Sequence, residues 1–163
     1  MKPNLFKLMF NFYPPYWATG IIVRKVSPDY REVIVHMKMR WYNRNYVNTH
    51  FGGSLYAMTD PFFMLMLMQI LGKEYIVWDK AAHIDFIKPG RGTVTAKFVI
   101  NEKQIEKIIS NTAAGQKYLP EFAVDIKDQA GEKVASVIKT LYIRKRRLHC
   151  NNQFEFSPLK NFS

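Results

Sequence analysis

The segment from Ser54 to Leu71 is apolar almost throughout, with Met58, Phe62, Phe63, Met64, Leu65, Met66, Leu67 and Met68 in close succession. A helix built from it has no polar face and must be covered on nearly all sides. A curved antiparallel sheet wrapped around the helix supplies that cover. The run is about long enough to span a bilayer, but Asp60, Pro61 and Gln69 interrupt it and no partner span accompanies it. A buried helix is therefore expected, with no membrane span. Gly52-Gly53 opens it and Gly72 closes it in the manner of a C-cap. Pro61 removes one intrahelical bond and clashes with the carbonyl of Ala57, which predicts a kink or a freed carbonyl beside Asp60.

Asp60 is the lone acid of this run, and the sequence places it among Leu55, Met58, Phe62, Phe63, Leu65 and Met66. An ionised carboxylate buried there is costly unless it is paired or put to use. Tyr56 and Thr59 are the nearby hydroxyls that would satisfy it. In the absence of such partners, Asp60 is the natural seat of chemistry.

A chain of 163 residues with 48% hydrophobic content is long enough for one domain with a real core and too apolar for wholesale disorder. Cys150 is the only cysteine, which excludes an internal disulfide framework and a cysteine metal cage and fits a reducing, cytoplasmic setting. Lys2 and Lys7 precede no long apolar core or clean cleavage site, so no signal peptide is expected. His36 and His149 lack ligand spacing and His83 reads as a structural pair with Asp85, so no metal is implied. The net charge of +11 favours an anionic partner: nucleic acid, acidic lipid, or the phosphates of a nucleotide-bearing substrate. The basic run Arg144-Lys145-Arg146-Arg147 follows a strand, without an RNP motif, zinc-finger spacing or Walker loop. A nucleic-acid role would rest on charge alone, and none is expected.

Along the chain, Pro3 to Tyr13 suits a short amphipathic helix stopped by Pro14-Pro15. Thr19 to Val26 and Glu32 to Arg40 read as a hairpin around Ser27-Pro28-Asp29. After the central helix, Tyr75 to Val77 and Ala81 to Ile87 are extended and end in the breaker-rich turn Lys88-Pro89-Gly90-Arg91-Gly92. Thr93 to Ile100 is a strand, Asn101 to Ser110 a small helix capped by Asn101, and Tyr118 to Asp128 and Lys133 to Arg144 are two further strands. The segments divide into an N-terminal helix (1–17), a main domain (18–145) and a tail (146–163).

The order strand–strand, Gly-Gly helix, then a strand ending in Asp85-Phe86-Ile87-Lys88-Pro89-Gly90 resembles the hotdog-fold thioesterases, within them the phenylacetate-type acyl-CoA thioesterases. It is most similar to an uncharacterised hotdog branch with a Gly-Gly start and an Asp-Pro eight positions on. The resemblance covers roughly Ala18 to Arg144. It implies an α+β hotdog fold, a curved antiparallel sheet around a long central helix, with an N-terminal helix and a small helical insertion. The pattern Asn-x-x-Gly-x-x-His-Gly-Gly falls on Asn45, Asn48, Phe51, Gly52 and Gly53, so Asn48 stands for the usual glycine and Phe51 for the histidine.

The resemblance implies hydrolysis of an acyl-CoA-type thioester, with coenzyme A as part of the substrate and no separate cofactor. Asp60 would act as general base or nucleophile, the Gly53 N–H as oxyanion donor, and the Asn45 amide would hold the water or the thioester. Gly52, His50, Phe51, Phe86, Lys88 and Arg91 are the expected substrate contacts. One helix does not readily offer both groups to one carbonyl, because Asp60 lies on the order of 10 Å along it from Gly53. Two antiparallel central helices in a homodimer, or a dimer of dimers, do. The alternative is a dimer that binds acyl or coenzyme A ligands without catalysis.

Overall fold

The structure is a computed structural model that describes residues 2–146. The expected tail, with Arg147, His149 and Cys150, lies outside the described residues except for Arg146. In chain order, α1 (Pro3–Asn11) and α2 (Pro14–Thr19) lead into β1 (Ile21–Val26) and β2 (Glu32–Lys38), and α3 (Gly52–Ala57) and α4 (Phe62–Leu71) form the central helix. There follow β3 (Tyr75–Phe86), β4 (Thr93–Val99), α5 (Glu102–Thr112), β5 (Lys117–Tyr118), β6 (Glu121–Lys127) and β7 (Lys133–Lys145). The strands make one antiparallel sheet in the order β1-β2-β4-β6-β7-β3, with β5 added to β7.

Alternation decides which side of this sheet is dry. Val33, Val35 and Met37 of β2, Val94, Ala96 and Phe98 of β4, Phe122, Val124 and Ile126 of β6, and Val137, Leu141 and Ile143 of β7 are all buried. Phe62, Phe63, Met66 and Leu67 of α4 fill the concave side, with Phe62 and Phe63 about 5 Å from the rings of Phe98 and Phe122. Each such side chain contributes roughly 1.5–3 kcal/mol by leaving water. α5 begins in a reciprocal capping box: the Asn101 side chain accepts from the Gln104 N–H, and the Gln104 side chain accepts from the Asn101 N–H, both at 2.9 Å.

Four expectations are corrected. The central helix is not continuous, because Pro61 has no N–H to donate; the helix stops at Ala57 and resumes at Phe62, with the Asp60 N–H reaching the Ala57 carbonyl at 3.4 Å. Nor is it covered all round: Met68 is exposed and Met64 and Leu65 are half-buried, leaving one flank open. Pro14-Pro15 ends α1 but also starts α2, since proline is tolerated where a helix N–H has no partner, and β1 begins only at Ile21. Tyr75 to Phe86 is one strand, bulged between Asp79 and Ala81 rather than divided there.

The two edges of the sheet are treated differently. At β1, the Asn11 side chain accepts from the Val23 N–H at 2.8 Å and donates to the Val23 carbonyl at 3.2 Å, so the end of α1 blocks further pairing. The other edge, β3, is long, and Ala81, Ala82 and His83 on it are exposed.

Gly20 joins α2 to β1 at φ +72°, and a Cβ there would lie 2.7 Å from Asn43 Nδ2 and 3.1 Å from the Lys38 carbonyl. Gly20→Ala is expected to cost about 1–2 kcal/mol from the left-handed backbone alone, and more once Asn43 is displaced. A drop in the urea midpoint at unchanged slope checks this.

Candidate functional site

The loop 39–51 is held by its own polar side chains. Asn45 accepts from the N–H groups of Val47 and Thr49 and donates from Nδ2 to Thr49 Oγ1 at 2.8 Å and, at 3.4 Å, to the His50 carbonyl. Asn48 adopts φ +58°, the left-handed region that favours glycine and tolerates asparagine, which accounts for glycine at that point of the hotdog pattern. His50 is buried, and its Nε2 lies 3.0 Å from the Gly92 carbonyl, which can only accept; Nε2 therefore carries the proton. Burial pushes the imidazole below the usual histidine range, against the opposing Gly92 bond, and Nδ1 is left buried without a partner among the described residues.

Asn45, His50, Gly52, Phe86 and Lys88 come together around a cavity of about 340 Å³. The Phe86 ring lies over Gly52 and the exposed Phe51 ring lies over Gly53, so close that a Cβ on either glycine would meet a ring carbon. Lys88 is already engaged by Asp128 at 2.7 Å and by Glu132. Those two acids hold its ammonium above the ordinary lysine value. Arg91 is exposed and Gly53 sits behind Phe51; neither lines this cavity.

Asp60 is elsewhere. It sits in the break between α3 and α4, on the wall of a second, more apolar cavity of about 510 Å³ with Met9, Phe10, Tyr13, Tyr16, Met64 and Leu65. It is also not the buried charge among the described residues, because its side chain is 49% exposed. That charge is Lys139, whose side chain is 0% exposed and whose Nζ lies 2.9 Å from Asp60 Oδ1 and 3.3 Å from Asp79 Oδ1. Tyr56 donates its hydroxyl to the same Asp60 Oδ1 at 3.0 Å, whereas Thr59 turns back to the Tyr56 carbonyl. Both donors thus converge on Oδ1, and Oδ2 takes neither.

Burial drives the Lys139 ammonium down, but the Asp60 hydrogen bond and the charges of Asp79 and Asp60 outweigh it and hold the group above the ordinary lysine value. Asp79 moves up, because desolvation exceeds the opposing pull of Lys139; its Oδ1 faces the ammonium without hydrogen-bond alignment. The Tyr16 hydroxyl, on the Asp60 cavity, is buried without a partner among the described residues, and its pKa is raised by desolvation and then by the Asp60 charge.

Lys139 and Asp79 were missed in the sequence, although a signal existed. In β7 the buried phase runs Ala135, Val137, Leu141, Ile143, and Lys139 is the charged residue inside that run, whereas Lys133 and Lys145 share its phase only at the strand ends. Asp79 is likewise in step with buried Val77 on β3 and pairs across to Leu141.

This fold is shared with known structures. The chain aligns with a Pseudomonas aeruginosa protein of unknown function described as a probable thioesterase (TM-score 0.77, 16% identity, 89% of this chain and 99% of that one). It aligns similarly with a Haemophilus influenzae thioesterase (0.67, 14%, 93% and 96%). A third match is the Escherichia coli PaaI protein from the phenylacetic acid degradation operon (0.56, 17%, 86% and 89%). The fold is therefore the hotdog fold, as the sequence resemblance implied. Within it, the chain belongs to the family described as a domain of unknown function, DUF4442, whose model matches residues 2–143. No curated protein sequence matches it.

Because the folded-state value of Lys139 is raised, its contribution to stability is complete below the ordinary 10.5 and is lost as pH rises through the folded value. Lys139→Met, which strands Asp79 beside an apolar wall, is expected to cost about 3–5 kcal/mol in urea unfolding at neutral pH. The same variant is expected to lose stability less steeply than the parent above pH 10.5, because the share of the alkaline fall due to Lys139 is gone while that of the raised Tyr16, Tyr30 and Tyr56 hydroxyls remains.

Proposed function

We propose that this protein hydrolyses an acyl-CoA-type thioester as a homodimer, with Asp60 as the carboxylate that activates water or attacks directly. One observation carries the reading: Asp60 has one oxygen fixed by Lys139 and Tyr56 and the other without a partner among the described residues, at the wall of a largely apolar cavity. In the general-base route Asp60 takes a proton from water, the hydroxide oxygen adds to the thioester carbonyl, and the carbon–sulfur bond breaks to leave the acid and a thiolate, which takes the proton back from Asp60 and departs as thiol. The Gly53 N–H, at the opening of α3, stabilises the oxyanion once the Phe51 ring that lies over Gly53 turns aside. Asn45, bound into its own turn, fixes the loop that delivers Phe51 and Gly52.

The homodimer follows from reach. Gly52 and Asp60 line different cavities of one chain, and on the order of 10 Å of helix separates Gly53 from the acid. The long β3 edge offers a second copy a strand to pair with. Antiparallel pairing there sets the Gly52-Gly53 end of one chain against Asp60 of the other, and His50, Phe86, Lys88 and Arg91 then lie along the path of the coenzyme A arm.

A second reading, ligand binding without hydrolysis, is favoured by Phe51, an exposed ring where the hotdog pattern has histidine. Thiol release from a series of acyl-CoA substrates separates the two. Asp60→Asn is expected to lower kcat about 10²–10⁴-fold with little change in KM; undiminished turnover by that variant contradicts the role of Asp60. Binding of acyl-CoA by the parent with no thiol released selects the second reading.

A further inference from the structure

Among the described residues, the outward face of α1 is apolar and uncovered. Phe6 and Phe10 turn inward onto Tyr30 and Phe62, whereas Leu5, Leu8, Met9 and Phe12 form one stripe at helical spacing, each 50–63% exposed. The stripe continues into exposed Trp17, whose ring meets Phe12 at 6.5 Å. A shallow cavity of about 300 Å³ connects Trp17 to Lys38, Arg40 and Tyr42. Beyond it Trp41 stands 80% exposed against Tyr42.

The charge around this patch is mainly positive; the nearby acid, Asp60, lies on the cavity that Met9 and Tyr13 share and is paired with Lys139. Lys2 and Lys7 accompany the stripe, and Lys38 and Arg40 border its far end. Between residues 2 and 59 the only acids are Asp29 and Glu32, and they are engaged by Arg31 and by Lys25 and Lys97.

We propose that this patch seats the protein on an anionic lipid surface. The α1 stripe enters the boundary between headgroups and acyl chains, Trp17 and Trp41 lie at the interface, and Lys38 and Arg40 face lipid phosphates. A second copy of the chain fits the patch poorly, because a two-fold contact would set lysine and arginine against lysine and arginine. Met9 and Tyr13 are both half-exposed and also line the Asp60 cavity, so the seated protein holds that cavity beside the lipid. The inference stands on exposure and charge and does not require that the protein hydrolyse thioesters.

Flotation of the full chain with vesicles of phosphatidylcholine alone or mixed with phosphatidylserine tests it. Co-flotation with the anionic vesicles is expected, together with a blue shift of tryptophan fluorescence. Leu8→Ser with Phe12→Ser, on the half-exposed outward face, is expected to abolish it, and Lys38→Ala to weaken partitioning about fivefold, the effect of one cation near an anionic surface. Failure of the parent to float with anionic vesicles overturns the proposal. So does a change of oligomeric state in the Leu8/Phe12 variant at unchanged vesicle binding, which would assign the patch to another copy.

Discussion

An ammonium group leaves water only where counter-charge is waiting for it, and Lys139 is removed from water entirely. Its partners come from two different elements: Asp79 from the edge strand β3, and Asp60 from the break in the central helix. The contact ties the helix break to the sheet at one point. It also determines what Asp60 presents, since one carboxylate oxygen is bound inward and the other is not. Breaking such a set by removing one member costs more than the pair contributes to the intact fold, because the remaining charge has nowhere to go.

Pro61 makes the arrangement possible. A continuous helix would carry residue 60 in its hydrogen-bond ladder; the break leaves a short non-helical stretch in which the Asp60 side chain turns toward Lys139 while staying half-exposed. The same break lets α1 and α2 close over the gap, giving an apolar cavity with a single acid on its wall. Gly52, by contrast, sits with Phe86 and His50 around the other cavity. The distance between the two cavities in one chain is why the proposed chemistry calls for a partner.

Much of this was legible before any coordinates. Period-two alternation marked the strands, the Asn101 cap marked α5, and the wholly apolar run demanded a wrapping sheet, because each signal is local and tied to backbone geometry. The Gly-Gly opening and the acid eight positions on pointed to Asp60. What stayed hidden was which charge is buried. A lone acid in an apolar run draws the eye, but burial depends on what the sheet contributes, and Lys139 reaches Asp60 across a sequence separation that no local pattern encodes. Helix continuity was misjudged for a related reason: a proline inside an apolar run permits either a bend or a break, and tertiary contacts chose the break.

A double-mutant cycle between Asp60→Asn and Lys139→Met, read by urea unfolding at neutral pH, tests the central claim most directly. If Asp60 is presented by the buried lysine, the two changes are coupled by about 2–3 kcal/mol, near the upper end for contacting residues. Effects that add to within about 0.5 kcal/mol would mean that the two side chains do not sense each other, and that Asp60 is held by something else.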